Sequence, residues 1–215
     1  PKEREELLIV ATFVEVWLAK EGHSGKVGIN YLEKIQTPLL PSLYGALLAQ
    51  VDVIIMGAGI PRYLPKVLDA FMERREVEAE LAVLGPVNSG HARRFNPADF
   101  PTLAGVPLKR PEFYPIVASV VLASMLVKKS GRVDAIIIEG PTAGGHNAPP
   151  RGKPVFDDLG QPVYGPRDVV DLAAIRELGV PFYLAGSYGT PERLKEALAE
   201  GAAGIQVGSL FAFCR

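Results

Sequence analysis

The stretch "PFYLAGSYGTPERLKEALAEGAAGIQVG", residues 181–208, decides the fold. Two short runs, "PFYLAG" at 181–186 and "AGIQVG" at 203–208, combine apolar side chains with the glycines that end strands. Between them "TPERLKEALAEG" reads as a helix: Thr190 stands where a cap belongs, Pro191 at the first helical position and Gly201 at the stop. Strand, helix and strand at this spacing form a βαβ unit, whose strands run parallel and are covered on both faces.

The same alternation extends backwards through the chain. "LLIVA" at 7–11 is expected to be a strand followed by a helix in "FVEVWLAKEG". Strands at 27–31, 52–56, 115–119 and 134–139 alternate with helices in "LPSLYGALLAQ", at 64–75, in "VVLASMLVKKSG" and in "RDVVDLAAIRELG". Counted this way the chain has seven parallel strands. That predicts a (β/α)8 TIM-type barrel lacking its first strand, a single domain over 1–215 cut at both ends. A doubly wound open sheet is the alternative. Two stretches interrupt the pattern. Residues 78–95 read as a β-hairpin insertion, and 147–166, rich in Pro, Gly and Asp, as a lid or a disordered connection.

Composition narrows the partners. The 215 residues are 48% hydrophobic and 22% charged, enough apolar material for a sizeable core. A net charge of −1 with scattered Lys and Arg argues against nucleic acid or an anionic membrane. The apolar runs fall well short of the ~18–20 residues that span a bilayer. A lone cysteine, Cys214, excludes an internal disulfide framework and a cysteine-based zinc site. A cytoplasmic protein is expected.

In a parallel barrel, ligands meet the loops after the strands. Asn30 ends the 27–31 strand, and "MGAGIP", "EGPTAGGH", "AGSYGTPE" and "QVGS" follow later ones. The ordered pair "AGSYG" and "QVGS" matches the place where barrels bind phosphate through backbone amides, with Ser187 and Ser209 as hydroxyl donors. Neither G-x-G-x-x-G opening a helix nor a P-loop is present, and "GSYGT" lacks the nucleophile-elbow spacing. Of the three histidines, His23 and His91 read as solvated. His146 stands on the ligand rim, where an imidazole suits general acid or base work. No second ligand stands at metal spacing to it, so no metal is expected.

"DAIIIEGPTAGGH", "PFYLAGSYGTPERLKEALAEGAAGIQVGSLF" and "VGINY" together resemble the nitronate monooxygenase (2-nitropropane dioxygenase-like) family of FMN-dependent barrels. The FMN-dependent enoyl-acyl-carrier-protein reductases share the pattern. The resemblance implies FMN across the top of the barrel. It implies a cofactor contact set of Asn30, Glu139, Gly144, Gly145, Gly186, Ser187, Gln206, Val207, Gly208 and Ser209. His146 matches the histidine that acts as base on a nitroalkane or nitronate, with dioxygen reoxidising the flavin. NAD(P)H-dependent reduction of an enoyl thioester or quinone is the alternative on the same scaffold. A non-catalytic phosphate-ligand barrel is the alternative of another class. The partners implied are a small-molecule substrate with dioxygen or NAD(P)H, and a homodimer is an admitted assembly. The chain departs from the family pattern at Ser187 and Ser209, which replace glycine and threonine, and at Glu139, which replaces glutamine. An ionised Glu139 would disfavour negative charge on a reduced flavin.

Overall fold

The structure is a computed structural model that describes residues 2–83, 90–144 and 147–214. Its contacts divide the chain into two compact units, residues 1–113 and 114–215.

The first unit opens with a correction. Residues 7–11 are not a strand but lie inside one 18-residue helix, α1 (Lys2–Ala19). A run such as "LLIVATFVEVW" carries no period that separates strand from helix, so length arbitrates. No Gly or Pro interrupts residues 2–21, and Glu3 and Glu5 suit the positive end of the helix dipole. Ile9 and Val16, two turns apart, are buried, while Leu7, Val10, Val14 and Trp17 are exposed. The count of seven parallel strands loses its first member.

β1 (Gly28–Leu32), α2 (Leu39–Leu48) and β2 (Val53–Gly57) follow, and β1 pairs in parallel with β2, Gly28 opposite Val53 and Leu32 opposite Gly57. α2 is buried on almost every side. It crosses α1 so closely that a Cβ on Gly45 would lie 2.3 Å from the Ile9 carbonyl oxygen. After α3 (Leu64–Met72), strands β3 (Val77–Glu80) and β4 (Ala92–Phe95) pair antiparallel. Val77 and Ala79 point inward and Glu78 and Glu80 outward, the alternation a one-sided sheet requires. Residues 84–89, which include most of the "GPVNSG" loop (85–90) of the expected hairpin, lie outside the described residues. Tyr44, Phe71, Phe95 and Phe100 form an aromatic core with ring centroids 5.4 to 5.6 Å apart.

β5 (Glu112–Val117) leads from the first unit into the second. There it is joined by α4 (Val120–Lys129), β6 (Ile136–Glu139), α5 (Leu172–Arg176), β7 (Phe182–Ala185), α6 (Pro191–Ala199), β8 (Gly204–Gln206) and α7 (Ser209–Ala212). The strands lie in the order β5-β6-β7-β8, all parallel. The caps are local. Ser119 Oγ accepts the Leu122 N–H at 3.1 Å, and Thr190 Oγ1 the Arg193 N–H at 3.3 Å. Val117, Leu126, Ile136, Ile138, Ile175, Phe182 and Leu184 are among the residues that form the core between sheet and helices. No described helix is long and apolar enough to cross a membrane.

Candidate functional site

The parallel register of the second unit builds the site. Glu139 stands opposite Ala185, and Ala185 opposite Gln206, so β6, β7 and β8 end side by side. Three loops therefore leave the sheet at one edge. Gly140 N–H donates to the Ala185 carbonyl at 2.9 Å, which carries the ladder one residue past β6.

Close packing then locks the loops together. Gly186 has φ +104°, and a Cβ there would meet Ala143 N at 3.1 Å and Gly140 O at 3.3 Å. Only glycine enters that conformation without strain. Ser187 follows with φ +58°, unusual for a residue with a side chain. Its Oγ donates to the Thr142 carbonyl at 3.3 Å. A Cβ on Gly144 would lie 2.2 Å from Ser209 Oγ. The loop after β6 is thus pressed against the loops after both β7 and β8.

Between the loops lies a cavity of about 280 Å³. It is lined by Glu139, Gly144, Gly186, Ser187, Gln206, Val207, Gly208 and Ser209, all expected from sequence. Thr142, Tyr188 and Gly189 line it from loops that the sequence marked, while Ile116 and Leu210 also line it and were not anticipated. Thr142 and Tyr188 sit within the glycine-bearing loops, so their nearness to glycine was the available signal. His146 and Gly145 lie outside the described residues. Asn30 belongs to the first unit and is exposed in the middle of β1, not at its end, because pairing continues to Leu32 opposite Gly57.

The lining contains no Lys or Arg, and Glu139 is its one carboxyl among the described residues. Burial pushes the Glu139 carboxyl above its ordinary range, against the opposing pull of the Ala148 N–H that donates to it. Gln206 Oε1 is buried without a hydrogen-bond partner among the described residues. Ser187, Gly208 and Ser209 are exposed along the cavity, so their backbone N–H groups are within reach of a ligand. A Cβ on Gly208 would meet nothing within 4 Å, so the space beside that amide is open. These are the features of a site that receives hydrogen-bonding groups from a ligand. No cluster of three or more metal-ligating side chains exists among the described residues.

The segment after residue 146 is hydrogen-bonded throughout. Asp168 accepts the Arg151 and Gly165 amides, each at 2.8 Å, and these two donors hold its carboxyl below the usual range. Asp157 Oδ1 accepts from Leu159 N and Gln161 N, closing a turn across which Val163 N–H donates to Val155 O. The stretch is a strap of tied turns, not a structureless connection.

The profile of the family described as Nitronate monooxygenase matches residues 112–215. A "Probable nitronate monooxygenase" of Bacillus subtilis is 34% identical over 97 residues, 45% of this chain and 26% of that relative. Residues 112–215 are similar to the nitronate monooxygenase family. The matched segment includes the whole cavity wall and the strap. The fold agrees with solved structures. FabK from Thermotoga maritima is similar with a TM-score of 0.55 and 20% identity, covering 93% of this chain and 46% of that one. Nitroalkane oxidase from Streptomyces ansochromogenes is similar with a TM-score of 0.56 and 16% identity, covering 94% of this chain and 55% of that one. At such identities the likeness concerns the α/β fold of parallel strands. The chain spans about half the length of these two structures, and its match a smaller share of the curated relative.

Proposed function

We propose that the chain supplies the flavin site of an FMN-dependent oxidoreductase of the nitronate monooxygenase type, built on a (β/α)8 barrel as a single domain. Its substrate is a small nitronate or nitroalkane-like carbon acid, with dioxygen as the oxidant. The observation that carries the reading is the convergence of Gly144, Gly186–Ser187 and Gln206–Ser209 on one cavity, with a buried acceptor, Gln206 Oε1, that has no partner among the described residues. The residues present fit the group. The amides of Gly208 and Ser209, with the Ser187 and Ser209 hydroxyls, would hold a phosphate without a basic side chain. Gln206 Oε1 offers an acceptor to a ring N–H. Burial at Glu139 works against a negative charge beside the ring. Bound FMN supplies the two-electron redox chemistry. His146 takes the proton from the carbon acid, and Gly145 adds to the cofactor contacts.

The test is spectroscopic. The purified chain, titrated with FMN, is expected to bind it with a perturbed flavin absorbance and to release it on heating. Gly208→Asp, which the open space tolerates, places a carboxylate beside the phosphate and should weaken FMN at least about tenfold. Its melting temperature without FMN should stay unchanged. Unaltered FMN affinity in that variant sinks the phosphate placement. Bleaching of the bound flavin by NAD(P)H and not by a nitronate, in the absence of oxygen, would replace the proposed reaction with a reductase.

A further inference from the structure

Glu139 borders a second cavity, on which the proposed cofactor makes no demand. This one is about 30 Å³ and is lined by Asn147, Ala148, Arg151, Tyr164 and Asp168 among others. It has room for one water or one small polar group. Asn147 Nδ2 donates to the Pro141 carbonyl at 2.9 Å. That bond fixes the amide's orientation, because the flipped form would set Oδ1 against another carbonyl oxygen. Asn147 Oδ1 is buried and has no partner among the described residues.

The surrounding donors are turned elsewhere. Tyr164 OH donates to Ala148 O at 3.1 Å, and Arg151 donates through Nη1 to Arg167 O at 2.8 Å and through Nη2 to Ala118 O. Asp168 is engaged by two backbone amides, and Glu139 by one. Asn147 Oδ1 is the buried side-chain atom of this wall left without a partner among the described residues. A buried acceptor left without a donor is costly, so the site favours whatever brings an N–H or O–H.

We propose that this cavity is a subsite for a hydrogen-bond-donating group of a small substrate, a hydroxyl or an amine, with Asn147 Oδ1 as the acceptor that selects it. Calling the ligand a substrate rests on the flavin reading of the neighbouring cavity; the binding preference does not. An immobilised water carries the same donor chemistry, and the test separates the two.

The probes are 2-nitroethanol and 1-nitropropane, which match in heavy atoms but end in hydroxyl and methyl. Both are titrated against the purified chain by ligand-observed NMR, with flavin absorbance read on the same sample. The hydroxyl compound should bind about tenfold tighter, and Asn147→Leu should abolish the difference. Equal binding of the two, or binding of neither, overturns the proposal, and equal binding is what a permanently held water predicts. A preference that survives Asn147→Leu in a folded variant overturns the choice of acceptor. A preserved preference in protein that takes up no FMN would refute the flavin reading and leave the subsite standing.

Discussion

Ser187 holds a left-handed backbone conformation, φ +58°, directly after Gly186, and its compensation is one long hydrogen bond to Thr142 O. The strain of such a residue outweighs a 3.3 Å bond at an exposed site. Ser187→Gly should therefore raise stability by roughly 1 kcal/mol, read as a higher urea midpoint. A lower midpoint would show that the hydroxyl bridge matters more. Glu139 gives a prediction with a definite sign. Burial raises its folded pKa above the ordinary 4.5, so the folded state holds its proton more tightly than the unfolded chain. The stability this contributes is complete below about 4.5 and is lost as pH rises through the folded pKa. Glu139→Gln, neutral at every pH, should gain on the wild type as pH increases across that window. Parallel curves of unfolding free energy against pH would contradict it.

The loops after β6, β7 and β8 act as one element because glycines let them touch. Gly144→Ala drives a methyl against Ser209 Oγ, whose ideal separation would be 2.2 Å, and the hydroxyl must swing into the cavity or the loop must move. Loss of FMN affinity of about tenfold or more is expected, with a smaller loss of thermal stability. Ser209→Ala in the same chain removes the clashing oxygen and should restore most of the stability. A double variant no more stable than Gly144→Ala would mean that the contact is not the cause. The cavity loops were legible in sequence because glycine reports backbone demands locally. α1 was not, since its β-branched apolar run satisfies a buried strand as well as a helix packed by Ile9 and Val16.

Within the first unit, Asp52 ties distant segments together. It accepts from Lys20 at 2.9 Å, the Val27 N–H at 3.0 Å and Lys109 at 3.4 Å. Burial alone would raise its pKa, yet these donors and charges outweigh it and hold the carboxyl at about 2. Its side chain is 16% exposed, so solvent screens the pairs only partly. A carboxyl lowered from 3.8 to about 2 stabilises the fold by roughly 2 kcal/mol at neutral pH. That stability is present above the unfolded value and lost as pH falls toward 2. Asp52→Asn should lower the urea midpoint at pH 7 and converge with wild type in strong acid. A constant deficit at all pH values would assign the effect to packing. Asp52 and Glu139 therefore give the molecule opposite pH slopes, one from each unit.

What the sequence determined by itself is local or periodic: parallel strands from two-faced apolar runs, the helix cap at Thr190, and the glycines of the cavity loops. Each depends on neighbours a few residues away. Tertiary structure alone decided the rest. The register that sets Glu139, Ala185 and Gln206 abreast joins residues far apart in the chain, and only that register turns three loops into one cavity. The orphaned oxygens of Gln206 and Asn147 are likewise invisible in sequence, because whether a polar atom finds a partner is settled by what folding places around it.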